Sequence, residues 1–187
     1  NPADNSVWRF SHRTGALQLR YANPALSQPS ALLILGSSLL VASAGTHSVV
    51  EFDLASGEFV RTLVASGAGG LDGPTALLPA PSGLLLVASG NTNQVLAYQR
   101  ATGNFDRVYA ESEDLVDPSA LFTRAGGILV ASRGTDAVLE FASDGTYLGP
   151  FIRPRSAGLS RPSAIITGGG GLLVCSSGNH RILAFDS

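Results

Sequence analysis

Pro118-Ser119-Ala120-Leu121-Phe122-Thr123, then Ile128-Leu129-Val130-Ala131-Ser132, then Val138-Leu139-Glu140-Phe141, is the segment from which the architecture can be read. Each run holds four to six residues, is rich in Leu, Ile, Val and aromatics, and is bounded by Gly, Ser, Asn, Asp or Pro clusters. Runs of that length with those boundaries are strands, and none shows a 3.6-residue apolar period long enough for a helix.

The same order recurs on both sides. Pro29-Ser30-Ala31-Leu32, Pro74-Thr75-Ala76-Leu77 and Pro162-Ser163-Ala164-Ile165 match the opening quartet, and the four prolines lie 45, 44 and 44 residues apart. An apolar run ending in a small pair follows each: Leu39 to Ser43, Leu85 to Ser89, Ile128 to Ser132 and Leu172 to Ser176. A third run carries an aromatic at one place, Phe52, Tyr98, Phe141 and Phe185, and a glycine turn at Gly57, Gly103 or Gly145 leads to a fourth opened by Phe59, Phe105 or Tyr147. Three separate landmarks keep one period. A four-stranded antiparallel sheet cannot bury both faces alone but can do so between copies of itself, so the predicted fold is an all-β β-propeller of four-stranded blades. Apolar residues on both faces of each second strand fit a sheet sandwiched between neighbours.

The final unit, Gly178-Asn179-His180-Arg181-Ile182-Leu183-Ala184-Phe185-Asp186, resembles the core of the NHL repeat, and the preceding proline, apolar strand and small pair lie where that family has them. The resemblance covers nearly the whole chain and implies a propeller that usually closes with about six blades. The aspartate that the family often carries after the second strand is replaced by Ser43, Ser89, Ser132 and Ser176. The WD dipeptide and the glycine pair of kelch blades are missing.

Val7-Trp8-Arg9-Phe10 aligns with Val49 to Phe52, so the chain enters the repeat at a third strand and stops after another, at Ser187. The expected units are a part-blade over residues 1–28, blades over 29–73, 74–117 and 118–161, and a part-blade over 162–187, four to five in all. Six blades at this period would need roughly 264 residues, so the 187 present read as a segment of a longer chain. A third strand at an open edge exposes backbone groups that invite strand addition, by the rest of the chain or by a second copy.

Hydrophobic residues make up 44% and charged residues 14%, and twelve basic against fourteen acidic side chains leave a formal charge of -2. That balance lacks the basic footprint that neutralises a phosphate backbone, so no nucleic-acid partner is expected. No apolar run approaches the ~20 residues that cross a bilayer, so membrane insertion is not expected either. Low charge with abundant Gly, Ser and Ala is compatible with an extracellular or cell-surface protein. The single Cys175 shares a register with Ala42, Ala88 and Ala131 and is expected to be a buried, inert thiol. Trp8 and Phe10 are expected in blade core.

Asn5, His47, Asn93, Asp136 and His180 occupy equivalent positions in the turn between second and third strands. Their types could suggest a metal ring, but zinc needs three or four ligands at about 2 Å from one point, which successive blades do not offer. Asn, Asp and His also take positive φ readily, so these are expected to be turn residues. The loops leading to the next blade differ in sign: Glu111, Glu113, Asp114 and Asp117 in one, Arg153, Arg155 and Arg161 in the next. In a propeller those loops share a face with His47, Asn93, Asp136 and His180, and that face is the candidate interaction surface.

No nucleophile elbow, HExxH, pair of carboxylates with plausible burial or phosphate loop occurs, and Gly168 to Gly171 reads as a hairpin turn. Gluconolactonase-type propellers hold a divalent cation in the channel, but the first strands Ala31 to Leu35, Ala76 to Leu78, Ala120 to Thr123 and Ala164 to Thr167 carry no carboxylate. The expectation is a non-catalytic scaffold, without cofactor or metal, that binds a protein partner or further copies of itself. The alternatives are a structural protomer joined through open blade edges, and a lyase or lactonase whose catalytic residues lie outside these 187 residues.

Overall fold

A computed structural model describes residues 4–186. Among these residues the strands form five antiparallel sheets. The first is a hairpin of β1 (Ser6–Phe10) and β2 (Leu17–Ala22). Three complete sheets follow: β3 (Pro29–Leu35), β4 (Ser38–Ser43), β5 (Ser48–Asp53) and β6 (Phe59–Val64); β7 (Pro74–Pro79), β8 (Leu84–Ser89), β9 (Gln94–Gln99) and β10 (Phe105–Glu111); β11 (Pro118–Arg124), β12 (Gly127–Ser132), β13 (Ala137–Ala142) and β14 (Tyr147–Ile152). The last sheet holds β15 (Pro162–Gly168), β16 (Gly171–Ser176) and β17 (Arg181–Asp186). Helical structure is confined to three-residue 3-10 turns, and no helix among the described residues is long and apolar enough to cross a membrane.

Strands pair in chain order within each sheet, and the first strands β3, β7, β11 and β15 lie side by side at the centre. The arrangement is a β-propeller. The register repeats: Val41 faces Val50, Val87 faces Leu96, Val130 faces Leu139 and Val174 faces Leu183. Gly168 pairs with Gly171 around Gly169 (φ 62°) and Gly170 (φ 88°), a two-residue hairpin of the twist-compatible type.

Four apolar clusters hold consecutive sheets together. One packs Leu40, Val49 and Leu63 against Leu85, Val87, Leu96 and Tyr98, and the other junctions repeat it. Each fully buried Val or Leu is worth roughly 1.5–3 kcal/mol, so the clusters supply most of the cohesion between sheets. Among the described residues none of these clusters joins the last sheet to the first.

That openness corrects two expectations. Trp8 and Phe10 are 40% and 51% exposed, because among the described residues no sheet packs on their side of β1. Cys175 is half-buried, whereas Ala42, Ala88 and Ala131 are fully buried, because among the described residues no sheet packs on the Cys175 side of the last sheet.

Candidate interaction face

The opening quartet has a structural cause. Proline lacks an N–H for the ladder, and in β3, β7, β11 and β15 the register slips by one residue between the proline and the alanine two positions on. The slipped residue is Ser30, Thr75, Ser119 or Ser163. Released from the ladder, Ser30 Oγ donates to the Pro74 carbonyl at 2.6 Å, Thr75 Oγ1 to that of Pro118, and Ser119 Oγ to that of Pro162 at 2.6 Å. The hydroxyl after each proline thus grips the proline of the next sheet.

A second contact crosses each junction on the loop face. Asn5, His47, Asn93, Asp136 and His180 have φ of 52°, 52°, 59°, 57° and 59°, the left-handed conformation expected of the turn. The first four also accept a hydrogen bond from the backbone N–H just before the next proline. Asn5 Oδ1 takes Gln28 at 2.9 Å, His47 Nδ1 takes Gly73 at 3.0 Å, Asn93 Oδ1 takes Asp117 at 2.9 Å and Asp136 Oδ1 takes Arg161 at 2.8 Å. His47 Nδ1 also lies 2.7 Å from Asp72 Oδ1. One nitrogen cannot accept from Gly73 and donate to Asp72 at once, so the Gly73 clasp belongs to the imidazole unprotonated at Nδ1. His180 and Ser163, the fifth and fourth members of the two series, have no such partner among the described residues.

One clasp is worth about 1 kcal/mol net. Asn93→Gly keeps the positive φ accessible and removes only the acceptor, so a loss of roughly 0.5–1.5 kcal/mol is expected. Asn93→Asp retains the acceptor and is expected to stay within about 0.5 kcal/mol of the parent. Urea unfolding of both variants measures the difference.

Sequence reasoning left the four second-strand serines without a role, and here they form the polar network of the face. Ser43 Oγ accepts from Ser27 N at 2.8 Å and Ser132 Oγ from Val116 N at 2.9 Å; Ser89 and Ser176 hold Asp72 N and Ser160 N at 3.0 and 2.9 Å. Thr46, Thr92 and Thr135, each three residues on, donate to the serine at 2.6 Å. Asn179, in the same place of the last unit, bonds the Gly158 carbonyl at 2.7 Å instead. The periodic Ser-x-x-Thr was the available signal.

On this frame sit the charged loops. Glu111 accepts from Gln94 Nε2 at 2.8 Å, and Asp117 pairs with Arg133 at 3.3 Å. Tyr147 donates to the Asp114 carboxylate at 2.7 Å, and burial, with that carboxylate beside it, pushes the phenol up to about 12. Arg155 pairs with Asp136 at 3.6 Å, so Asp136 receives the Arg161 N–H on one oxygen and faces the Arg155 guanidinium with the other. Glu113 and Arg153 are exposed, and among the described residues no ion pair links the acidic loop to the basic one. Nor do three or more His, Cys, Asp or Glu side chains converge among those residues.

No protein-family model matches the sequence, and no curated protein matches it either. Solved structures do. The chain superposes on a propeller in the nidogen/laminin complex with a TM-score of 0.76 at 19% identity, covering 97% of this chain and 67% of that one. Virginiamycin B lyase from Staphylococcus aureus gives 0.70 at 13%, covering 100% and 64%. The computationally designed Ika4 protein gives 0.59 at 11%, covering 84% and 90%. The chain therefore spans about two thirds of the natural neighbours' length, and at these identities the likeness is one of fold: this chain is a β-propeller.

Proposed function

We propose that the chain is a non-catalytic, NHL-like propeller scaffold that presents its loop face to a protein partner. The NHL-like reading is supported by the Gly178 to Asp186 unit and by the proline-led quartets. The binding role is carried by the separation of charge on two adjacent loops: Glu113 and Asp114 on one and Arg153 and Arg155 on the next, all exposed, the first loop held by Ser132 and Thr135 and the second by Ser176 and Asn179. Opposite charges on neighbouring loops of one surface favour a partner of complementary pattern and orient its approach. The nidogen/laminin neighbour is a propeller in a protein complex, which is compatible with this use of the fold.

Two double charge reversals test it, Glu113→Lys with Asp114→Lys and Arg153→Glu with Arg155→Glu. Partners are isolated by cross-linking to the parent chain, and their binding is then measured by interferometry. Each reversal is expected to weaken partner binding by about tenfold or more and to change its salt dependence, with a loss of no more than about 1–2 kcal/mol of stability as the Tyr147–Asp114 bond or the Arg155–Asp136 pair is removed. Binding indifferent to both reversals, or substrate turnover by the chain alone, overturns the reading.

A further inference from the structure

Glu51 and Arg61 face each other across β5 and β6, and the arginine Nε donates to the carboxylate at 2.7 Å. Both line a cleft between the first two complete sheets, at the end of the strands opposite the interaction loops. The next sheet keeps the arginine and lacks its partner, because Arg107 faces Ala97 in the same register. Ala97 is fully buried and uncharged, and Arg107 Nη1 instead donates to Asp106, its neighbour in the chain, at 2.6 Å. Beside Arg107 lies a cavity of about 210 Å³, lined by Leu78, Leu84 and Tyr109 of that sheet and by Ile128 of the one after it. Both sheets are complete and each has a further sheet on its other side, so this is an interior junction. A second guanidinium enters the cavity from Arg124, whose Nη1 lies 3.1 Å from Glu140 and whose guanidinium carbon stands 4.3 Å from the centre of the Phe151 ring. Asp106, Glu140 and Asp144, the acidic groups beside the two arginines, do not line the cavity, and among the described residues no carboxylate does.

Going beyond the loop-face reading, we propose that this cavity binds a small carboxylic acid with an apolar body, whose carboxylate takes the part that Glu51 plays in the sheet before. Each guanidinium carries five N–H donors, and Arg107 and Arg124 each direct one nitrogen at a protein carboxylate, which leaves donors for the ligand. The body of the acid packs on Leu78, Leu84 and Ile128. It also meets the ring of Tyr109, whose hydroxyl is engaged by the Ala142 and Ser143 carbonyls at 3.3 and 3.2 Å. A charge-assisted hydrogen bond is stronger in such a partly enclosed apolar site than in water. Inorganic phosphate would meet the arginines but leave the apolar lining uncovered, so the site favours an acid that has both parts.

Calorimetric titration of the full chain with phenylacetate and with phenylacetamide, its uncharged analogue, tests this, while amide shifts of the isotope-labelled protein locate the site. Phenylacetate is expected to bind with a Kd of about 1 mM or tighter, and the amide about tenfold or more weakly. The shifts should centre on Gly126, Gly127 and Ser143, which border the cavity. Arg107→Gln, at a half-exposed side chain, should weaken phenylacetate by about tenfold or more and erase its advantage over the amide. Ala97→Glu supplies the carboxylate from within and should abolish binding, whereas Arg61→Gln in the neighbouring cleft should leave it unchanged. Equal affinity for acid and amide, indifference to Arg107→Gln, shifts centred elsewhere, or no binding at about 10 mM phenylacetate would overturn the proposal.

Discussion

Gly145→Ala is expected to destabilise the chain by at least about 3 kcal/mol, an effect matched among these turns by Gly103→Ala, whose Cβ would lie 1.6 Å from the Leu63 carbonyl oxygen. Two costs coincide there. Gly145 has φ +94°, a conformation unfavourable to any L side chain, and a Cβ built on it would lie 1.7 Å from the Tyr109 carbonyl oxygen of the preceding sheet. The obstacle is backbone, which cannot swing aside as a side chain would, so β10 and the turn must separate. Gly126→Ala is the control: φ is +84°, but nothing lies within 4 Å of the added methyl. It should lose only the torsional part, about 1 kcal/mol. Urea midpoints of the two variants separate the terms. Equal losses would mean that the turn of one sheet does not pack on the fourth strand of the sheet before it.

Removing a single hydroxyl from the loop frame should have the next largest effect. Ser132 is fully buried; its Oγ accepts from Val116 N at 2.9 Å and from Thr135 Oγ1 at 2.6 Å, and donates toward the Asp114 or Val116 carbonyl at 3.0 and 3.1 Å. Alanine fits the space but leaves the Val116 N–H without its acceptor. A buried group orphaned in this way costs roughly 1–3 kcal/mol, and the Thr135 hydroxyl keeps only its bond to the Asp114 carbonyl. Ser132→Ala is therefore expected to lower stability by about 2–3 kcal/mol and to speed hydrogen exchange at the Val116 amide selectively. An unchanged Val116 exchange rate would show that the serine does not anchor the loop. The same loop carries Glu113, Asp114 and Asp117, so the variant should also loosen the acidic half of the binding face while leaving the basic half in place.

The periodic part of the structure was legible because it is local. Proline removes a ladder donor wherever it stands, alternating Leu and Val bury a strand on both faces, and Asn, Asp or His in a tight turn takes positive φ with little help from outside. Hence the quartets, the second strands and the turn residues from Asn5 to His180 were visible in order. Their second use was not: that Asn93 receives the Asp117 N–H, or that Thr75 grips Pro118, depends on where one sheet stands beside the next.

Exposure at the ends was misread for the same reason. Trp8, Phe10 and Cys175 occupy positions that are core in every interior sheet, and a repeat pattern scores them as core wherever they occur. Burial, however, is a property of the neighbour and not of the position. The sequence by itself determined the repeat, its register and the residues of each turn, through short-range sterics and the hydrogen-bonding limits of single side chains. Only the tertiary structure decided which hydroxyls and turn residues join adjacent sheets, and which apolar faces are left bare, because those outcomes require two sheets to meet.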